Sequence, residues 1–188
     1  MTAETIPDDR PDLTGARAGA ELTRLYAAHA RDLHRYLARR LTPAAADDLV
    51  AETFLIAWER RATYSPGRAS ARAWLFGIAT NLARRHARDE VRGLRAHTRA
   101  GPEPDTAEAA EVRATARADA ANQTAALSAG LAGLSDEERD ALLLVAWAGL
   151  TPKEVAEALG INPTTVRTRL HRARTALRTH LTDRENRT

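Results

Sequence analysis

Residues 151–178 encode two short helices joined by a tight turn, and this pattern constrains the fold more than any other feature of the chain. The segment reads TPKEVAEALGINPTTVRTRLHRARTALR. Thr151 and Glu154 form a predicted capping box, with a proline at the first helical position. Gly160 ends this helix, and Asn162 with Pro163 begins the next one in the same way. Two capped helices joined by LGIN have the spacing of a helix-turn-helix.

The second of these helices separates its apolar and polar side chains. At 100° per residue, Val166, Leu170, Ala173 and Leu177 form one apolar stripe. Between Ile161 and Arg178 there are five arginines and no acidic residue. The opposite face carries hydroxyl, imidazole and guanidinium groups, which can donate to base edges and phosphates. These residues are Thr164, Thr168, His171, Arg172 and Thr175, flanked by Arg167, Arg174 and Arg178. We predict a DNA-reading helix; the alternative is a solvated basic face on a bundle helix.

Apolar residues recur at three- and four-residue steps through most of the remaining chain. The spacing predicts helices over about 21–41, 44–61 and from 70 onward, then around 125–133 and after the capping box at Ser135 and Glu138. No alternating apolar run is long enough to indicate a strand. We therefore predict an all-α fold with two small helical domains joined by a flexible linker. The expected divisions are a disordered tail over 1–19, a domain over 20–98, a linker over 99–124, a domain over 125–182 and a tail over 183–188.

Composition excludes several classes of function. Cysteine is absent, which excludes disulfides, thiolate metal sites and a cysteine nucleophile. No apolar run approaches the roughly 18 residues of a membrane span, and residues 1–15 lack the apolar region of a secretory signal. None of the six histidines has a metal-ligand spacing, and there is no glycine-rich phosphate loop. We expect a cytoplasmic protein that is not an enzyme and needs no metal or cofactor.

The net charge is only +3, but the charges are unevenly distributed. Residues 60–99 contain ten arginines against Asp89 and Glu90, and residues 161–181 contain only bases. Acids outnumber bases between these blocks, over 101–121. Two basic blocks separated by an acidic spacer indicate a nucleic-acid partner. The role of the basic stretch 84–99 stays open: it binds duplex phosphates, or it reflects a codon bias toward arginine.

Three blocks together give the chain a specific resemblance. They are ADDLVAETFLIAWERR, ARAWLFGIATNLARRHAR and LSDEERDALLLVAWAGLTPKEVAEALGINPTTVRTRLHRARTALR. In this order they resemble regions 2.2, 2.3 to 2.4, and 4 of the extracytoplasmic-function (group IV) sigma factors of bacterial RNA polymerase. The resemblance implies promoter-specific transcription initiation together with core RNA polymerase and promoter DNA. It leaves open whether an anti-sigma factor is a further partner.

The resemblance also implies roles for individual residues. The helix around ADDLVAETF resembles the surface that docks on the polymerase, and its candidates are Asp47, Asp48, Val50, Glu52 and Thr53. Phe54 and Trp58 of the same helix are expected to be mostly core. The candidates for the unpaired minus-10 element are Tyr64, Arg68, Arg72, Asn81, Arg84, Arg85 and Arg88, with Trp74 expected in the core. Single-stranded DNA needs such basic and stacking groups.

In the helix-turn-helix, the resemblance implies binding to the minus-35 element. Arg167, Thr168, His171 and Arg172 are the expected base contacts. The expected phosphate contacts, which position without specifying, are Lys153, Thr164, Thr165 and Arg174. The alternative is a regulator of the LuxR type that acts without polymerase. That alternative explains the last block but not the first two.

Overall fold

The computed structural model describes residues 9–98, 127 and 129–185. The N-terminal half contains α1 (Ala18–Ala38), α2 (Pro43–Glu59), a single 3-10 turn (Arg61–Thr63) and α3 (Ala71–Thr98). The C-terminal half contains α4 (Asp136–Ala146), α5 (Pro152–Leu159) and α6 (Pro163–Glu185), preceded by a short helical segment at 129–132. Within the described ranges no residue is in a strand, so the predicted all-α class is confirmed. The predicted linker over 99–124 lies outside the described residues.

The N-terminal domain is a bundle in which α1, α2 and α3 contact one another. The first helix ends at Ala38, and Thr42 caps α2, because its hydroxyl accepts a hydrogen bond from the Ala45 amide at 3.3 Å. Pro43 occupies the first helical position, where its missing N–H is not needed. The interior is filled by large side chains that are fully buried, among them Leu25, Leu33, Tyr36, Leu37, Leu75 and Phe76.

Residues 9–17 differ from the disordered tail that their composition predicts. Leu13 is 2% exposed and belongs to the core. The Asp9 carboxylate accepts a hydrogen bond from the Arg72 amide at 3.0 Å, and its other oxygen lies 2.9 Å from His29 Nε2. The first amides of a helix have no partner within the helix. The Asp9 carboxylate supplies such a partner to an amide at the start of α3. This contact, between residues far apart in the chain, orders the segment 9–17, which has no periodicity of its own.

The C-terminal domain begins each of its first two helices with the predicted capping box. The Ser135 hydroxyl accepts from the Glu138 amide and the Glu138 carboxylate accepts from the Ser135 amide, both at 3.3 Å. Thr151 and Glu154 repeat the arrangement at the start of α5. Gly160 ends α5 with a φ of +64°, a left-handed conformation that favours glycine. Both capping boxes and the glycine stop are therefore confirmed.

The helix-turn-helix consists of α5, the turn at 160–162 and α6. The Asn162 side chain accepts from the Thr164 amide at 2.8 Å and so caps α6. Of the stripe predicted on α6, Val166 and Ala173 are fully enclosed, Leu170 is nearly so, and Leu177 is half-buried. They pack with α4 and α5, which turns the opposite face of α6 outward. The predicted tail at 183–188 begins within α6, which extends to Glu185.

The two domains share a continuous hydrophobic core, since α5 of the C-terminal half packs directly on α3 of the N-terminal half. At the same interface between the two domains, Asp140 of α4 lies between Arg40 and Arg84. None of the described helices combines the length and apolarity needed to cross a membrane.

Replacing Asp9 with alanine tests its role as the cap of α3. The loss of a side-chain cap destabilises a protein by about 1 kcal/mol, so the free energy of unfolding in urea should fall by about that amount. Asp32→Ala is the matched control, because among the described residues Asp32 pairs with Arg35 alone, in an i,i+3 pair at the surface, which contributes little. Equal effects of the two changes would contradict the capping role.

The same contact has a defined pH dependence. Burial raises the pKa of Asp9, but the hydrogen bonds from His29 and the Arg72 amide outweigh it and leave the pKa below the ordinary value of 3.8. A lowered folded-state pKa gives stability that is present above 3.8 and is lost as the pH falls through the folded value. The difference in unfolding free energy between wild type and Asp9→Asn should therefore shrink below pH 3.8. A difference that grows on acidification would contradict this account.

Candidate nucleic-acid interface

Seven of the eight residues predicted for the minus-35 element lie on α6, and the eighth, Lys153, lies on α5. Each of them is exposed: Lys153 on α5, and Thr164, Thr165, Arg167, Thr168, His171, Arg172 and Arg174 on α6. The face is positioned by the buried stripe of Val166, Leu170 and Ala173. Because these residues anchor α6 from the opposite side, the polar side chains project from a rigid helix rather than from a loop.

The charge of this face is not neutralised within the described residues. In the part of the chain that the structure describes, no acidic side chain pairs with Arg167, Arg172 or Arg174. The hydroxyl of Thr168 donates to the Thr164 carbonyl at 3.1 Å, a bond within the helix. A surface of unpaired guanidinium groups gains free energy from phosphates, which it neutralises with release of counterions. The arrangement therefore suits a polyanion better than bulk solvent.

The residues predicted for the minus-10 element fall into three groups. Asn81, Arg85 and Arg88 are exposed at steps of four and three residues along α3, which places them on one side of that helix. Arg68 is exposed in the preceding loop and lines a cleft between the domains together with Lys153. These four side chains present donors to solvent.

Arg72 and Arg84 form the second group, because both are engaged by the C-terminal domain. The Arg72 guanidinium donates to the Ala148 carbonyl and lies 3.9 Å from Glu154. The Arg84 guanidinium donates to the Asp140 carboxylate. Their hydrogen-bonding capacity is thus directed at protein in this structure. The sequence gives no local signal for this, since the partners lie more than 50 residues away.

Tyr64 forms the third group by itself. It is only 7% exposed, its hydroxyl donates to the Ala69 carbonyl at 3.2 Å, and its ring lies 4.9 Å from that of Trp74. Trp74 packs against the core as expected. The tyrosine ring is therefore packed against protein rather than open to a base.

The helix α2 exposes some of its predicted polymerase contacts and buries others. Asp47 and Asp48 are exposed and Glu52 is half-buried. Val50 is 6% exposed, and Thr53 is fully buried with its hydroxyl donating to the Leu49 carbonyl at 2.6 Å. Val50 and Thr53 belong to the core of the N-terminal domain, because they fall on the inward side of α2.

Apolar side chains that sequence reasoning did not select lie beside these acids. Leu55 is 57% exposed and Tyr26 of α1 is 52% exposed. Trp58, which was expected in the core, is 38% exposed, with the Arg61 guanidinium 4.0 Å from its ring. Phe54 is buried as expected. Leu55 carried a usable signal, since it interrupts the polar side of α2 between Glu52 and Glu59. Exposed apolar side chains grouped in this way mark contact surfaces.

The interface between the two domains contains a basic groove lined by residues of the stretch 84–99, whose role the sequence left open. Arg85, Arg88 and Arg92 of α3 line a groove of 690 Å³, whose other walls include Asp136 and three further arginines, Arg40, Arg84 and Arg139. The four arginines of this stretch whose side chains the structure describes, Arg84, Arg85, Arg88 and Arg92, thus line one groove. A groove lined by this many guanidinium groups can hold phosphates.

Comparison with known proteins identifies the same two halves. Residues 25–93 match the family model of sigma-70 region 2, and residues 124–177 match that of sigma-70 region 4. The chain is 36% identical over 165 residues to the ECF RNA polymerase sigma factor SigL of Mycobacterium tuberculosis, covering 87% of this chain and 90% of that protein. The region 2 match accounts for the half that a LuxR-type regulator leaves unexplained.

Solved structures show the same fold. CnrH, solved in complex with the cytosolic domain of CnrY, superposes with a TM-score of 0.64 at 26% identity, covering 94% of this chain and 99% of that one. The sigma factor RpoE of Bartonella quintana, solved in complex with the anti-sigma factor NepR, gives 0.59 at 22% identity, covering 86% and 97%. With both sigma regions in order and a relative that spans most of its length, the chain belongs to the ECF RNA polymerase sigma factors.

Proposed function

We propose that this sigma factor docks on core RNA polymerase through α2 and reads promoter DNA at two places. In this proposal α6 binds the minus-35 element as a duplex, and α3 with the loop before it binds the minus-10 element as a single strand. The observation that carries the proposal is the outward face of α6, where seven exposed donor-bearing residues lie opposite the buried stripe of the same helix. Such a face fits the major groove, which is wide enough for one helix.

The positions of the exposed residues on α6 support separate roles in contacting bases and phosphates. Arg167, Thr168, His171 and Arg172 project from the first half of the helix, the part that contacts base edges in helix-turn-helix proteins. Arginine pairs with guanine through two hydrogen bonds. Lys153, Thr164, Thr165 and Arg174 are assigned to phosphates, which fix the register of the protein on the duplex.

On α3, the exposed side of Asn81, Arg85 and Arg88 supports first contact with the minus-10 strand. Arg68 extends this surface along the loop. Arg72, Arg84 and Tyr64 join it only after they leave their present partners, Ala148, Asp140 and Ala69. Single-stranded DNA is held by basic grooves that follow its backbone and by stacking, and this set provides both.

The docking surface on α2 combines charge and apolar area. Asp47, Asp48 and Glu52 supply carboxylates for a basic partner surface. Leu55 and Trp58 lie beside them and supply the apolar contact that an acidic patch alone lacks. Val50 and Thr53 support this surface from inside, as core residues that hold α2 in place.

The proposal assigns no catalytic step to this chain. The phosphodiester chemistry and its metal ions stay in the polymerase, and the chain acts in the cytoplasm without a cofactor. An anti-sigma partner is proposed on the example of the RpoE structure, which was solved with one.

Initiation assays with core polymerase test the function itself. The chain is mixed with core RNA polymerase and a library of promoter sequences, and transcript start sites are mapped. Defined start sites that require the chain are expected. A chain that binds duplex DNA tightly by itself and gives no start site with the polymerase would be a regulator instead, and the proposal would be wrong.

Arg172→Ala tests base reading by α6. A side chain with two hydrogen bonds to a base contributes about 1–3 kcal/mol of discrimination. The variant should therefore lose its preference at one position of the minus-35 element, measured as relative initiation from promoters that differ at single bases.

Arg174→Ala is the matched control on the same helix. As a phosphate contact it should weaken all promoters about equally and lower the slope of log affinity against log salt by about 1. A uniform loss with Arg172→Ala, indistinguishable from that of Arg174→Ala, would contradict base reading by Arg172.

Asp48→Arg tests the docking surface. The reversal places a positive charge against a basic partner, so the affinity for core polymerase should fall while binding of the chain to minus-35 duplex stays unchanged. Asp32→Arg on α1 provides an equal change of charge outside the surface. Unchanged polymerase affinity in Asp48→Arg, or an equal loss in both variants, would rule out the assignment.

A further inference from the structure

The segment that precedes α1 contacts the loop that leads into α3. This loop covers residues 64–70. The Arg10 guanidinium donates to the Pro66 carbonyl in the middle of the loop. The carbonyl of the preceding residue, Asp9, accepts from the Ala71 amide at 2.6 Å, directly after the loop. Two consecutive residues thus hold the loop at its middle and at its end.

The other contacts of this segment anchor it to the N-terminal domain. We call residues 9–13 the N-terminal brace. Its last residue, Leu13, is 2% exposed and lies in the core. At its first residue, Asp9 Oδ1 lies 2.9 Å from His29 Nε2 of α1, and Asp9 Oδ2 accepts from the Arg72 amide at 3.0 Å. The brace is therefore fixed at both ends, and Arg10 extends from a rigid support.

The outer turn of the loop is closed by its own backbone. The Arg68 and Ala69 amides donate to the Ser65 carbonyl at 3.0 and 3.2 Å. Arg68 is exposed at this turn. Within the described ranges, the bond from Arg10 is the one hydrogen bond that joins the outer turn to a residue beyond the loop. The position of the turn relative to the domain therefore depends on Arg10.

This position matters because the proposed function assigns the loop to the minus-10 strand. Arg68 lies in the outer turn, and Asn81 and Arg85 lie on the exposed side of α3. Groups that bind one ligand must be held within about 0.5 Å of the productive geometry. A loop that is ordered before binding also avoids the entropy loss of becoming ordered in the complex. Since Asp9 contacts the start of α3 and Arg10 contacts the loop, the brace sets the spacing between the two.

We propose that the N-terminal brace positions the loop 64–70 for capture of the minus-10 strand, and that Arg10 is the positioning residue. Arg10 acts through the Pro66 carbonyl and contacts no base or phosphate itself. The proposal rests on the proposed function for its consequence in initiation, but the restraint on the loop is measurable without DNA or polymerase.

Arg10 has a second partner, whose effect must be separated from that of the loop. Its guanidinium lies 3.5 Å from the Glu157 carboxylate of α5, and that carboxylate also accepts from the Ser70 amide at 3.3 Å. Glu157→Gln removes the negative charge that pairs with Arg10 but retains an oxygen that can accept from Ser70. A role through α5 would make this variant resemble Arg10→Ala, whereas a role through Pro66 leaves it like wild type.

Hydrogen exchange of the free full chain measures the restraint on the loop. Arg10→Ala removes a hydrogen bond from a charged donor, so the amides of Arg68 and Ala69 should exchange about tenfold faster. Arg10→Lys retains a cationic donor for the Pro66 carbonyl and should restore slow exchange. Arg17→Ala is the matched control, because Arg17 is exposed in the same N-terminal segment and its side chain has no bonding partner within the described residues.

Strand binding by the chain assembled with core polymerase tests the consequence. The probe is a single-stranded oligonucleotide that carries the minus-10 sequence of a promoter found by the initiation assay. Its affinity should fall roughly tenfold in Arg10→Ala, because the loop must then become ordered on binding, and should return in Arg10→Lys. Arg17→Ala removes the same charge and should bind the oligonucleotide like wild type. The affinity of Arg10→Ala for minus-35 duplex and for core polymerase should not change.

Each outcome decides one part. Unchanged exchange in Arg10→Ala overturns the restraint on the loop, and equally fast exchange in Glu157→Gln overturns its assignment to Pro66. Faster exchange in Arg10→Ala with unchanged oligonucleotide affinity overturns the positioning role. Failure of the wild-type chain to direct initiation with core polymerase overturns the proposed function and with it the role in strand capture, whereas the exchange result is independent of it.

Discussion

The buried carboxylate of Asp140 between Arg40 and Arg84 is the interaction on which the arrangement of the two domains depends. Removing charges from water costs several kcal/mol per ion, and the cost is offset only when geometry and hydrogen bonding are good. Both oxygens of Asp140 are satisfied here, and Arg40 is further fixed by Tyr36. An apolar contact would tolerate sliding of one domain over the other, whereas this one requires a single orientation.

The basic outward face of the helix-turn-helix is set by the residues buried beneath it. The residues Val166, Leu170 and Ala173 fix the rotation of α6 about its own axis by burial. That rotation decides which side chains face outward, and among the described residues the outward set includes no acid that neutralises its arginines. The same logic applies to α2, where burial of Val50 and Thr53 leaves Asp47 and Asp48 on the surface. In both helices the core determines the chemistry of the exposed side.

Much of the local structure could be predicted from the sequence, because its determinants are local. The capping boxes at Ser135 and Thr151 and the glycine stop at Gly160 involve residues within a few positions of one another, and all were found. The exposed face of α6 followed from the helical period alone. Family resemblance then identified the N-terminal half, which physical patterns by themselves left ambiguous.

The structural features that could not be predicted from the sequence depend on contacts between residues that are far apart in the chain. In the sequence, Asp140 resembles any acidic residue of an amphipathic helix. Its burial could not be predicted, because its partner Arg40 lies 100 residues away. Asp9 lies in a segment without periodicity and is ordered by the start of α3. Trp58 was expected to be mostly core from its place in the apolar stripe of α2, whereas it is 38% exposed and lies beside Arg61. Sequence spacing carries no information about such pairs.

The central claim is that one chain binds the minus-10 and the minus-35 element at the same time. The distance between the two domains, measured before and after the chain joins the polymerase, tests this claim most directly. The chain contains no cysteine, so Ala28→Cys on α1 and Thr179→Cys on α6, both exposed, accept a donor and acceptor dye without other labelling. The account predicts a single short-distance population in the free chain. On addition of core polymerase and promoter DNA, it predicts a shift to a distance longer by tens of ångströms, because elements centred near positions 10 and 35 are about 25 base pairs, or about 85 Å, apart along B-form DNA. A free chain that is already extended, or one whose distance does not change on assembly, would contradict it.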